Sequence, residues 1–201
     1  MNDAELVGRA MQGDSAAFGE LIDRHRTAVY RAALAALGSP ADAEDAAQDA
    51  FLLAFRRLAS FRGEASFKTW LLTITWNQAI NRRRTMTRVL KRLIAPVASV
   101  EPGGRRAADA SVWAALVSNG PTPEDAAAAR QLHGAIRQEI QRLTPKLRDA
   151  LVLAQSGAYS YEEIGAMLRA PLGTIKWRVS EARRVIRDRL RQRGFDDVER
   201  R

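Results

Sequence analysis

The sequence predicts an all-α protein of two small helical domains joined by a flexible linker. Apolar residues recur at the spacing of amphipathic helices on both sides of a central break, and capping residues precede most of these segments. Within the break, over 94–122, the helical pattern fails and Pro and Gly recur. A stretch of about 30 residues without regular structure is too long for a loop inside one compact domain. We therefore predict one domain at 1–93 and another at 123–201.

The first domain begins with two predicted helices, capped at their N-termini by Asp3 and Asp14. Ser39-Pro40 then starts a third helix, with Ser as the cap and Pro at the first helical position. Two faces of this helix differ in character. The predicted exposed face carries Asp42, Asp45 and Asp49, and the predicted buried side carries Phe51, Phe55 and Leu58.

A corner at 61–65 separates this acidic helix from a fourth helix, for which Ser66 is the predicted cap. Its predicted inner face consists of Phe67, Trp70, Leu71 and Ile74. Its predicted outer face consists of Lys68, Thr69, Thr73, Trp76, Asn77, Asn81, Arg82, Arg83 and Arg84. Eight basic residues and a single acid lie between Arg82 and Arg106, more than the capping of a helix end requires.

The second domain contains a predicted helix-turn-helix. Ser160 and Glu163 form a capping-box pattern that opens a short helix through Leu168, and a long basic helix follows from about Leu172 to Arg193. Gly165 is small where the two helices must approach closely. The polar side chains predicted to project from the long helix are Thr174, Lys176, Arg178, Arg183 and Arg184, together with Trp177. Such folds read DNA but also serve as protein-binding modules.

Composition narrows the classes of function. The net charge of +9 favours nucleic acid or another anionic partner. The chain has no Cys, which excludes disulfides and thiolate metal sites, and its two His lie far apart in sequence. There is no nucleophile–base set, phosphate-cradling Gly loop or membrane-spanning run. We expect a cytoplasmic, non-enzymatic protein with no metal, no cofactor and no small-molecule substrate.

Two long segments resemble one family. They are DAEDAAQDAFLLAFRRLASFRGEASFKTWLLTITWNQAINRRR and YSYEEIGAMLRAPLGTIKWRVSEARRVIRDRL, in that order with a linker between them. The chain resembles the extracytoplasmic-function (ECF, group IV) sigma factors of bacterial RNA polymerase, within the sigma-70 family. The resemblance covers nearly the whole chain and implies that 1–93 is sigma domain 2, a helical bundle, and that 123–201 is sigma domain 4.

The resemblance also implies partners and residue roles. The partners are promoter DNA, the clamp helices of the largest subunit and the flap of the second-largest subunit of core RNA polymerase, and an anti-sigma factor that is often membrane-bound and would hold the protein at the inner membrane face. The implied polymerase-binding residues are Asp42, Asp45, Gln48, Asp49, Leu52 and Arg56. An acidic helix face suits a basic partner surface.

The implied contacts with the promoter fall into two groups. Those for capture and melting of the −10 element are Phe61, Arg62, Gly63, Ser66, Lys68, Trp70, Thr73, Trp76, Asn77, Asn81, Arg82, Arg83 and Arg84. Strand opening needs aromatic and polar groups for the unstacked bases and cations for the backbone. Those for the −35 element are Thr174, Lys176, Trp177, Arg178, Ser180, Arg183 and Arg184.

The chain departs from the family pattern at several positions of the helix-turn-helix. Arg169 occupies a turn position where the family often has Gly or Asn, Trp177 replaces a small polar residue, and Glu181 stands where a basic residue often contacts DNA. In the first domain, Trp76 is bulkier than the usual residue.

Two alternative functions remain open on the residues alone. One is a freestanding helix-turn-helix regulator that binds duplex DNA without polymerase, although such a protein gains nothing from the acidic helix at 42–49. The other is a sigma mimic that titrates an anti-sigma factor, although the complete −10 helix and the basic recognition helix argue against it.

Overall fold

The computed structural model describes the backbone of residues 1–94 and 123–195, and side chains within 1–89 and 129–195. In these segments the chain forms α-helices and one short 3-10 helix and no β-strand, so the predicted all-α class is confirmed. The chain divides into two compact units, Met1–Ala115 and Leu116–Arg201. Within the predicted linker at 94–122, residues 95–122 lie outside the described residues.

The N-terminal unit is a bundle of four helices. They are α1 (Asp3–Met11), α2 (Ser15–Leu37), α3 (Pro40–Arg57) and α4 (Phe67–Ile94), with a 3-10 turn at Leu58–Ser60 after α3. Helices α2, α3 and α4 pack against one another, and α1 packs mainly on α2. The fully buried side chains include Leu6, Leu21, Val29, Leu71 and Leu72.

Most of the predicted caps of this unit are confirmed, and one is wrong. The side chains of Asp14, Ser39 and Ser66 accept backbone N–H bonds as expected. In α1 the cap is Asn2, whose amide oxygen accepts from the Glu5 N–H at 2.9 Å while the Glu5 carboxylate accepts from the Asn2 N–H at 3.0 Å. Asp3 lies inside the first turn, where its carboxylate contacts His25 at 2.7 Å and Arg24 at 3.2 Å.

The buried side of α3 is lined mainly by alanines, and of the predicted Phe51, Phe55 and Leu58, Leu58 is buried and Phe51 is partly buried against the core. The buried residues of α3 are Ala43, Ala46, Ala47, Ala50 and Ala54. The prediction that Phe55 is buried is wrong, because 52% of it is exposed, although its ring makes an edge-to-face contact with Phe18 at 5.0 Å between ring centres. Small side chains let α3 approach its neighbours closely, and this leaves no room inside for a ring at position 55.

Trp76 also lies on the opposite side of its helix from the predicted one. It is 3% exposed, whereas the sequence pattern placed it on the outer face of α4. Helix α4 contacts α1, α2 and α3, so an unusually wide arc of it is buried, including Leu72, Thr75 and Ala79 beside Trp76. The buried Thr75 hydroxyl donates to the Leu71 carbonyl at 2.9 Å, which satisfies its one donor.

The C-terminal unit is organised around its last helix. It contains α5 (Pro123–Arg142), α6 (Pro145–Gln155), α7 (Tyr161–Leu168) and α8 (Leu172–Gln192). Helix α8 packs against each of the other three. Its apolar contribution comes from Ile175, Val179, Ala182 and Leu190, all buried.

The predicted helix-turn-helix is confirmed in α7, its turn and α8. The Ser160 hydroxyl accepts from the Glu163 N–H at 3.2 Å, and the Glu163 carboxylate accepts from the Ser160 N–H at 2.9 Å. Arg169 ends α7 with φ of 50° and ψ of 53°, the left-handed region in which Gly and Asn are favoured. This conformation gives a physical reason for the family's usual residues at this turn position. A Cβ on Gly165 would lie 2.8 Å from the Ala170 carbonyl oxygen, so the turn closes directly over this glycine.

A buried carboxylate that the apolar pattern did not reveal joins α5 to the end of α8. The Glu139 side chain is 1% exposed, and its oxygens lie 2.8 Å from Arg142, 3.0 Å from Arg193 and 3.4 Å from Arg189. A buried charge is tolerated only when it is paired and hydrogen-bonded, and three guanidinium groups meet that condition. Only tertiary packing brings together residues about 50 positions apart.

We predict that Gly165→Ala destabilises the C-terminal unit by about 1–2 kcal/mol. The added methyl group collides with a backbone oxygen that cannot move alone, and this overpacking outweighs the roughly 1 kcal/mol that Ala gains over Gly in a helix. The measurement is amide hydrogen exchange of α7 and α8. Gly134→Ala is the matched control, since nothing lies within 4 Å of its added Cβ. The two variants must change stability in opposite directions, and a stabilised Gly165→Ala would contradict the close approach.

We also predict that Glu139→Gln lowers the free energy of unfolding of the same unit by about 3 kcal/mol, because it removes the charge that three arginines share. Asp188→Asn is the control. Its carboxylate is 46% exposed and binds Arg184, so its loss should cost under about 1 kcal/mol. Urea unfolding of both variants makes the comparison, and equal losses would show that the Glu139 cluster contributes no more than a surface ion pair.

Candidate protein and nucleic-acid interfaces

An acidic surface lies on the outer side of α3, formed by Asp42, Asp45 and Asp49, which we call the acidic face. The Asp45 and Asp49 side chains are each 63% exposed, and that of Asp42 is 31% exposed. All three meet Arg82 of α4, whose guanidinium lies 2.8 Å from Asp45, 3.6 Å from Asp42 and 3.7 Å from Asp49. Three carboxylates against one guanidinium leave the acidic face negative.

Apolar side chains continue this surface toward the end of α3. Leu52 is 59% exposed and Phe55 is 52% exposed, and their spacing of three places them on neighbouring parts of one helix face. Gln48 and Arg56 are exposed on the same helix. The sequence pattern did not predict that Phe55 is exposed. The alanines that recur through α3 were a signal that its larger residues face outward.

The corner between α3 and α4 is anchored by rings. Phe61 lies 5.3 Å from Trp70 and 5.9 Å from Phe67 between ring centres, and Phe67 lies 5.7 Å from His25. Gly63 adopts φ of +73°, which allows the loop to turn back toward α4. Arg62 and Ser66 of this loop are exposed. The half-buried Trp70 ring borders the loop and begins the outer surface of α4.

From Trp70 onward, α4 carries a line of accessible polar residues that we call the polar stripe. It consists of Trp70, Thr73, Asn77, Asn81, Arg84 and Arg88, spaced at three or four residues. This spacing keeps them on one face of a helix with 3.6 residues per turn. Thr73 is half-buried, and Asn77, Asn81, Arg84 and Arg88 are exposed.

The structure does not place all of the predicted −10 residues on this stripe. Trp76 is in the core, and Lys68 begins α4 on another side of the helix. Arg82 is engaged by the acidic face. Arg83 donates to the Ala36 carbonyl at 3.1 Å, near the C-terminus of α2, where helix dipoles favour a cation. The three consecutive arginines at 82–84 therefore point in different directions, and Arg84 alone continues the stripe.

The recognition helix α8 presents the predicted −35 residues with unequal exposure. Lys176, Ser180 and Arg183 are exposed, Trp177 is 61% exposed, and Thr174 and Arg178 are half-buried. Arg184 is also exposed, but Glu181 accepts two bonds from its guanidinium, at 2.7 and 2.9 Å, and Asp188 accepts a third at 3.1 Å. The bond from Arg184 lowers the pKa of the Glu181 carboxyl, and the same bond raises the pKa of Arg184.

The part of the chain that the structure describes offers neither a metal-binding cluster nor a membrane-spanning helix. No three His, Cys, Asp or Glu side chains there are grouped so that they could hold a metal ion. Within the same segments, no helix combines the length and apolar character that a membrane crossing requires.

Both units match known sequence families. Residues 21–89 match the family described as Sigma-70 region 2, and residues 133–186 match Sigma-70, region 4. The first segment runs from within α2 to within α4, and the second covers the last half of α5, all of α6 and α7 and most of α8. They contain the acidic face, the polar stripe and the helix-turn-helix.

Relatives match this chain over nearly their whole length. The ECF RNA polymerase sigma factor SigW of Bacillus subtilis is 33% identical over 185 residues, covering 92% of this chain and 95% of that protein. The ECF RNA polymerase sigma-E factor of Escherichia coli K12 is 32% identical over 200 residues, covering 94% and 95%.

Solved structures share the fold. CnrH, determined in complex with the cytosolic domain of CnrY, has a TM-score of 0.59 at 24% identity and covers 94% of this chain and 97% of its own. The sigma factor RpoE of Bartonella quintana, determined with the anti-sigma factor NepR, has a TM-score of 0.57 at 22% identity, with 91% and 98% covered. With near-complete relatives above 30% identity and both regions matched in order, the chain belongs to the ECF sigma factors of the sigma-70 family.

Proposed function

We propose that this chain binds core RNA polymerase through the acidic face of α3, captures and melts the −10 element with the 61–66 loop and the polar stripe of α4, and contacts the −35 element with α8. In this role it directs promoter-specific initiation and performs no catalytic step itself, since bond formation belongs to the polymerase. The assignment of 1–93, 94–122 and 123–201 as sigma domain 2, linker and sigma domain 4 is part of the same proposal.

The proposal rests mainly on one observation: two chemically different surfaces lie next to each other on one helical bundle. The acidic face lies on α3, the polar stripe lies on α4, and Arg82 bonds across the boundary at 2.8 Å. A negative surface attracts a basic protein partner, whereas aromatic, amide and guanidinium groups suit unstacked bases and a phosphate backbone. A protein that docks on polymerase beside the DNA it opens needs this arrangement.

Regulation by an anti-sigma factor belongs to the proposal as well. The RpoE structure contains such a partner, and this supports the same class of partner for the present chain. The exposed Leu52 and Phe55 would lose contact with water on binding either polymerase or the anti-sigma factor, so the two would compete. If that partner is anchored in a membrane, it would hold the sigma factor at the inner face.

We predict that Asp45→Arg combined with Asp49→Arg weakens binding to core polymerase by at least about 100-fold. Each change replaces an attraction with a repulsion, and close charge pairs at interfaces couple by several kcal/mol. The measurement is the affinity of labelled sigma for core polymerase at fixed ionic strength. Circular dichroism checks that the bundle is still folded.

Asp23→Arg is the matched control for this charge reversal. Asp23 is an exposed carboxylate on α2, on the side away from the buried residues of that helix. Its reversal should leave polymerase affinity within about twofold. If the acidic-face variant binds core polymerase as tightly as the Asp23 variant, the proposed docking surface is wrong.

We predict that Asn77→Ala slows open-complex formation by about tenfold while leaving initial promoter binding unchanged. Asn77 is exposed at the centre of the polar stripe, and one lost hydrogen bond to a separated base costs on the order of 1–1.5 kcal/mol. Permanganate reactivity of thymines in the melted region reports opening, and filter binding reports the closed complex.

Met86→Ala provides the comparison, because Met86 is 41% exposed on the same helix and lies about 180° around it from Asn77. It should open promoters at the wild-type rate. Unaltered permanganate reactivity in the Asn77 variant would remove α4 from the proposed melting step.

A further inference from the structure

The outer face of the recognition helix has an unusual composition for a surface that meets DNA. The inward face of α8 is fixed by Ile175, Val179 and Ala182, which are at most 2% exposed. At about 100° per residue, Trp177 lies on the side opposite these three residues. Its indole is 61% exposed, the largest exposed fraction among the large apolar side chains in the described part of the chain.

The charges around Trp177 are arranged at the sides of the helix. Lys176 and Arg183 lie on one flank, between the inward and outward faces, and Arg178 lies on the other. An α-helix in the major groove turns its outer face to the base edges and its flanks to the two phosphate backbones. In this orientation the flanking cations would contact the phosphates, and Trp177 would face the base edges.

The one cation near Trp177 on the outer face is compensated within the helix. Arg184 gives two bonds to Glu181 and one to Asp188, and both carboxylates belong to α8. The N–H donors of an arginine bonded in this way are already engaged, so they cannot form the bidentate contact with a guanine edge. The groove-facing part of α8 thus offers an indole and the small Ser180 hydroxyl rather than an arginine.

An apolar ring has one specific counterpart in the major groove, the C5-methyl group of thymine. We propose that Trp177 is a specificity-determining residue of this sigma factor and selects thymine in the −35 element by packing against its methyl group. This inference depends on the proposed contact between α8 and the −35 element and adds the base and the chemical group that are read.

The test uses holoenzyme assembled from core polymerase and the full chain. Promoters with a fixed −10 element and a randomised −35 segment are selected for binding, and each thymine of the selected −35 sequence is then replaced by deoxyuridine, which lacks only the methyl group. We expect wild-type holoenzyme to lose about three- to fivefold in affinity at one or two of these positions, the scale of one buried methyl group.

Variants assign this loss to the indole. With Trp177→Ser, thymine and deoxyuridine should bind equally at those positions, whereas Trp177→Phe should restore a methyl preference. Lys176→Ala is the control for a phosphate contact and should weaken both promoters by the same factor. Because Trp177 is exposed, its replacement should leave the fold intact, and holoenzyme formation checks this.

Three outcomes would overturn the inference. They are a selected −35 element without thymine, a wild-type enzyme indifferent to deoxyuridine, and a deoxyuridine penalty that persists in Trp177→Ser. The last two would mean that the indole packs on the DNA backbone or on a protein partner. A wild-type holoenzyme that ignores the −35 sequence altogether would instead refute the proposed role of α8, and the two failures are therefore distinguishable.

Discussion

The close packing of α3 against α2 and α4 determines which of its side chains reach the surface. This helix buries five alanines, and their small side chains let α2 and α4 approach its backbone. After Ala50, Phe51 and Leu53 are half-buried, and the other large or charged side chains of α3 are exposed. The same constraint produces the acidic face and the exposed Leu52 and Phe55 beside it. A surface suited to a partner is thus a consequence of how the core is packed.

Arg82 connects the two surfaces of this unit electrostatically. It is the residue of the 82–84 run that faces α3, and it contacts all three carboxylates of the acidic face. Exposed ion pairs of this kind stabilise a fold only slightly, so a basic partner surface can replace Arg82 at little cost.

The C-terminal unit depends on α8 in a comparable way. Its inward face holds α5, α6 and α7, while Glu139 fixes its far end through Arg189 and Arg193. At its near end the turn closes over Gly165 and places Arg169 in a left-handed conformation. Helix α8 is therefore held at both ends within its unit.

The sequence by itself determined the features that depend on neighbouring residues: the all-α class, most helix starts, the helix-turn-helix and the side of α3 on which the aspartates lie. Caps and turns are encoded within a few residues, and the 3.6-residue period places the charges. Tertiary structure alone decided that Phe55 is outside, that Trp76 is inside, that Glu139 is buried among arginines, and that Arg82, Arg83 and Arg84 have different partners. These outcomes depend on how closely helices distant in sequence approach one another, and periodicity within one helix contains no information about that distance.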